Sequence, residues 1–211
     1  MEDKNALAEL SSIKSIMERS TRFISLSGLS GVMAGIYALI GAGLAYKLLY
    51  KAEVESEAGI YNDFNQNLAD KLFFIALAVL VLSVATGIWL TYRKAKRKGQ
   101  HIWNQSSRLL LANGALPLFT GGCFVLILLF KGDFALIAPG CLIFYGLSLV
   151  AASQYTFGDV KWLGICEIGL GLISTLFPGF GLYFWALGFG VLHIVYGTIM
   201  HFKYDRESSA N

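Results

Sequence analysis

The feature that most constrains this chain is a series of long stretches without one charged residue. Residues 23–46, 72–92, 109–130 and 134–157 are uncharged, mostly apolar runs of 24, 21, 22 and 24 residues. A helix rises about 1.5 Å per residue and a bilayer's hydrocarbon core is about 30 Å thick, so about 20 apolar residues suffice to cross it. The next such run, residues 168–202, has 35 residues. As one helix it would measure roughly 50 Å, too long for a single crossing. Pro178-Gly179-Phe180-Gly181 divides it, because proline lacks the N–H a continuing helix needs and glycine permits a tight reversal. The expected result is a fifth helix over residues 160–177 and a sixth over 182–202. The fifth is the shortest, and Lys161 and Trp162 at its start can anchor it at the interface.

Composition agrees with this reading. The chain of 211 residues is 55% hydrophobic and 15% charged, against roughly 25% charged in a soluble domain, and its mean hydropathy is +0.59. Scarce charge excludes a disordered chain, and three Pro and three Cys exclude collagen-like and disulfide-scaffold classes. The predicted class is an all-α polytopic integral membrane protein: six transmembrane helices in one bundle, an N-terminal amphipathic helix over residues 1–22 and a tail over 203–211. Leu7, Leu10, Ile13 and Met17 give the N-terminal segment its apolar stripe. It reads as an interfacial lead-in to the first span or a surface for a partner.

Of the 17 Lys and Arg residues, 13 fall on the side shared by the N-terminus, the second and fourth connections and the tail. By the positive-inside rule both termini face the cytoplasm, and the expected location is the inner (plasma) membrane of a bacterium. A cleaved signal peptide is not expected, since Glu2 and Asp3 spoil a basic leader. The dense run Arg93, Lys94, Lys96, Arg97 and Lys98 serves topology and could contact anionic lipid head groups. No recognition module accompanies it, so no nucleic acid is expected. Asp63-Phe64-Asn65-Gln66-Asn67 begins like a calcium loop, but Leu68 stands where that loop needs glycine.

An ionisable residue inside a span costs about 2.5 to 3.5 kcal/mol on an insertion scale, so it faces protein or water. Glu167 is the acid well inside a span, and Gly164, Gly171 and Ser174 share its helix face. His193 lies at the same depth on the antiparallel sixth helix, beside Gly190 and Gly197. A Glu167–His193 hydrogen bond follows as the sharpest structural expectation. Asn113, Ser148, and Ser83 or Thr86 lie at similar depth. They would line a cavity if they converge, and otherwise bond neighbouring backbone as packing glue. Pro117, four residues after Asn113, frees a carbonyl and can kink the third helix. Ser27, Gly31 and Gly35 form a small-residue series that packs helices within one chain or between two.

No cofactor or metal is expected, since one buried His and one Glu fall short of a zinc set and of a bis-histidine haem. Cys123, Cys141 and Cys166 lack a CxxC spacing and read as structural residues. No nucleophile, base and orienter set is visible, which disfavours an enzyme. Two functions fit nearly equally. One is a small permease, channel or proton-coupled carrier, with Glu167 protonatable, His193 its relay, and Asn113 and Ser148 lining the path to a small molecule or ion. The other is a non-catalytic membrane subunit, anchor or sensor that binds a protein partner or another copy of itself. An acid/base enzyme on a lipid or quinone has less to draw on, because Glu and His form a pair without a motif.

Overall fold

The computed structural model describes residues 27–57, 66–97, 99 and 103–205. The expected amphipathic helix over residues 1–22, Lys98 and the end of the tail lie outside them. Among the described residues there are helices and no strands. Helix α1 is Gly28–Glu57, α2 Gln66–Arg97 and α3 Gln105–Lys131; α4 is Ile137–Ala152, extended by 3-10 turns at Phe134–Leu136 and Ser153–Tyr155. Helix α5 is Asp159–Thr175. Helix α6 is one continuous rod built of Gly181–Trp185, a π-helical segment Ala186–Leu192, the α-helical His193–Met200 and a closing π-helical turn His201–Asp205. Five of these rods are long and apolar enough to cross a membrane; α5, at 17 residues, is the short one.

The helices overrun the charge-free runs at several ends. Helix α1 continues to Glu57 and α2 starts at Gln66 and ends at Arg97, because polar residues continue a helix once hydrogen bonding has started, whereas charge marks only where hydrocarbon should end. Helix α3 starts at a capping box: Asn104 Oδ1 accepts from Ser107 N–H at 2.8 Å, and Ser107 Oγ accepts from Asn104 N–H at 3.0 Å. It runs through Pro117 without a break. The reversal between α5 and α6 uses Gly179 at φ 92°, a backbone conformation that L side chains avoid.

Packing follows chain order and then closes on itself. Helices α4 and α5 form the most extensive pair, α3 lies mainly on α4, α2 mainly on α1, and α1 returns to pack on α6. Small residues make these approaches possible. A Cβ placed on Gly31 would lie 3.2 Å from the Gly197 Cα, and one on Gly35 would lie 2.5 Å from the Gly190 carbonyl, so the α1 small-residue series is spent on contact with α6 inside this chain. Between α1 and α2, Tyr37 and Thr86 hydroxyls meet at 3.2 Å. One end of the bundle carries Arg97, Gln105, Asp159 and Lys203 and is here termed the basic side.

Candidate functional site

The centre of the bundle is built around one carboxyl group. Glu167, midway along α5, is completely buried (0% exposed). It sits where α5 faces α4 and the π-helical segment of α6. Room for it comes from Gly188: a Cβ there would stand 2.5 Å from Glu167 Oε2 and 2.5 Å from Leu142. The π-helical turn widens α6 at that point, a device that recurs at functional sites.

His193 follows the π segment directly and is buried. Its Nδ1 lies 3.0 Å from the Gly188 carbonyl and 3.4 Å from Glu167 Oε1, while Nε2 lies 2.7 Å from the Tyr145 hydroxyl on α4. A carbonyl can only accept, so Nδ1 carries a proton. In the neutral ring Nε2 is then an acceptor and Tyr145 O–H donates to it. Glu167 and His193 are thus brought together, but the hydrogen bond expected between them goes instead to Gly188, whose carbonyl the π turn holds nearer. Among the described residues both Glu167 oxygens are left without a hydrogen-bond partner, as is Ser174 Oγ two turns along the same face of α5. Such buried unpartnered atoms are rare and costly in folded proteins.

The site opens on one side into a cavity of about 350 Å³ that runs along α6 from Met200 to Trp185, between α2 and the α1–α4–α5–α6 core. Tyr145 and His193 are on its wall. Trp185, Phe189 and His193 form a continuous aromatic strip along α6, with ring centroids 5.2 and 5.9 Å apart, and Tyr145 adds to it 5.1 Å from Phe189. Small residues of α1 and α2, among them Gly31, Ala34 and Gly87, face it. No protein-family model, curated protein or solved structure matches this chain.

The other polar residues do not converge on Glu167. Ser148 is buried, and its hydroxyl donates to the Gly114 carbonyl of α3 at 2.7 Å, joining α3 to α4. Asn113 is exposed on α3 and donates to the Leu109 carbonyl of its own helix at 2.8 Å. It points away because the α3 face turned to α4 is the one carrying Gly114 and Gly121. Of the basic run, Arg93 stacks over Trp89 at 5.7 Å and Lys94 over Phe157 at 5.6 Å, while Lys96 and Arg97 are exposed. Cys123, Cys141 and Cys166 are free thiols.

At the basic end α5 and α6 are clasped. Lys203 Nζ lies 3.2 and 3.0 Å from the two Asp159 oxygens, and Tyr204 O–H donates to Oδ2 at 2.6 Å. Partial burial pulls the Asp159 carboxyl upward, but the hydrogen bonds from Tyr204 and Lys203 and the Lys203 charge outweigh it and hold it below the usual aspartate value.

Tyr145, which bonds His193 in this site, is the residue that sequence reasoning passed over. A tyrosine in a span reads as an interfacial anchor. The usable signal was depth: Tyr145 lies as far from the basic end of its helix as His193 does from the end of α6.

Proposed function

We propose that the chain is a six-span inner-membrane protein with cytoplasmic termini, acting as a small proton-coupled carrier in which Tyr145, His193 and Glu167 relay a proton between the cavity and the bundle core. The observation that carries this reading is the pair of unpartnered oxygens on Glu167, reached from the cavity through an unbroken Tyr145–His193 contact. A protein keeps an uncompensated carboxyl inside a span when that group has work to do.

The chemistry balances atom by atom. A proton arriving at the Tyr145 oxygen lets Tyr145 pass its own to His193 Nε2. The proton on Nδ1, which Gly188 O holds at 3.0 Å, can then move to Glu167 Oε1 at 3.4 Å. Glu167, ionised at the start, gains one proton, the cavity loses one, and His193 ends in the opposite tautomer with the Nδ1–Gly188 hydrogen bond given up. The state of the pair is also legible in the cavity. While Nε2 is an acceptor, the Tyr145 O–H is committed to it; once Nε2 carries a proton, it donates to the Tyr145 oxygen and the hydroxyl hydrogen is free to turn to a ligand. A ligand that prefers one arrangement is thereby coupled to the proton by as much as that preference is worth. Beyond Glu167, Ser174 lies about 10 Å further along the helix and continues the polar line away from the basic side. Lys96 and Arg97, with Lys98 beyond them, would sit at the cytoplasmic surface, where anionic lipid can meet them.

The test is proton movement into liposomes containing a trapped pH dye, driven by a potassium diffusion potential. Wild-type protein is expected to equilibrate the lumen faster than empty liposomes, and Glu167→Gln to fall to the empty-liposome rate. Equal rates for the two proteins would retire the relay and leave the partner-binding membrane subunit as the working function.

A further inference from the structure

The shape and polarity of the cavity say what kind of molecule enters it. One wall is the aromatic strip of Trp185, Phe189 and His193; small α1 residues such as Gly31 and Ala34 and the α2 side chains Val79, Leu80 and Val84 make up much of the rest, which leaves an apolar space beside flat rings. Its volume of about 350 Å³ lies at the lower end of the range usual for small-molecule sites. The lining is mostly apolar, but a plain acyl chain would need no hydroxyl on it. Here Tyr145, its hydroxyl bonded to His193 at 2.7 Å, lines one side, and Ser83 of α2 lines the other. Thr120, Thr175 and Thr198 spend their hydroxyls on carbonyls of their own helices, at 2.9, 2.7 and 2.7 Å. Ser83 makes no such bond among the described residues, and a hydroxyl in apolar surroundings is costly until something accepts from it.

We infer that the cavity takes a lipid-soluble molecule built on a flat ring bearing carbonyl or hydroxyl oxygens, quinone-like or phenolic, lying against the Trp185–Phe189–His193 strip with its oxygens at Ser83 and Tyr145. The inference rests on the proposed relay for what the ligand does, since its oxygen is the group that would exchange a proton with Tyr145; its binding stands on the cavity alone.

Trp185 supplies the readout. Trp89, Trp103 and Trp162 are exposed, so replacing all three by Phe leaves one indole, on the cavity wall, in the full chain held in nanodiscs. The probe is a 1,4-naphthoquinone with a short alkyl tail, compared with phosphatidylcholine brominated on its acyl chains. The quinone is expected to quench Trp185 saturably. Gly87→Leu should remove the saturable part, because nothing lies within 4 Å of a Cβ at Gly87 and the new side chain enters open space at the cavity wall. Tyr145→Phe should raise the half-saturating concentration about 3- to 10-fold, the value of one hydrogen bond. It keeps the test valid should Gly87→Leu fail to fold. Quenching that is linear in quinone and the same in all variants overturns the inference. So does strong quenching by brominated lipid that Gly87→Leu removes, which would make the occupant an acyl chain. Saturable quinone binding without proton movement would retire the relay and leave the site standing; proton movement without saturable binding would do the reverse.

Discussion

Glu167 and Gly188 are matched, and each can be tested by changing the other's surroundings. A buried polar group without a partner costs about 1 to 3 kcal/mol, so Glu167→Leu is expected to raise the detergent melting temperature while abolishing proton movement. A residue kept for structure would lose stability on the same change. Gly188→Ala drives a methyl group into the carboxyl oxygen and Leu142, and overpacking of that kind typically costs about 1 to 3 kcal/mol; thermal unfolding should show the loss. Ser148→Ala, which removes only the bond to Gly114, should cost about 0.6 kcal/mol, the average for interhelical hydrogen bonds in membranes, and leave proton movement intact. At this scale the sequence was informative where energy is large. Glu167 stood out because a charge in a span is expensive, and His193 because it shares Glu167's depth. Asn113 could not be judged the same way: α3 is apolar nearly all round, and nothing in its composition marks the face that meets α4.

The helices themselves were legible as charge-free runs, and their ends were not, since a helix neither starts nor stops where hydrocarbon does. The π-helical segment Ala186–Leu192 left no mark in the sequence beyond a wealth of glycine. It sets the angular position of everything after it, including His193. Deleting Val191, an exposed residue in that segment, should let the π turn close to an α turn, which holds about one residue fewer, and take the Gly188 carbonyl away from His193 Nδ1. Circular dichroism is expected to be unchanged and proton movement lost. If activity survives the deletion, the π turn has no part in aligning the relay.

For the whole molecule, the bundle is held where α1 closes on α6 and where Asp159 clasps Lys203 and Tyr204. Asp159 is held below the usual aspartate value of about 3.9 when folded. Its contribution is therefore complete above that value and is lost as pH falls through the lowered folded value. Asp159→Asn should accordingly destabilise the protein at pH 7 and at pH 5 alike, with the difference from wild type shrinking below about pH 4; melting curves at these pH values check it. Gly31→Leu would force α1 from Gly197 and should disrupt the cavity along with the fold. This closure was foreshadowed by the Ser27–Gly31–Gly35 series, but which helix it would meet depends on three-dimensional order that spacing alone does not contain.

Proton exchange between Glu167 and Tyr145 through His193 is the step on which the proposed function stands. Infrared difference spectra recorded across a pH titration in lipid test it most directly, because a carboxyl group gaining a proton shows a C=O band of its own. The expected result is a pH-dependent carboxyl band that is absent in Glu167→Gln and shifted in Tyr145→Phe. A wild-type spectrum in which no band assignable to Glu167 responds to pH would contradict it.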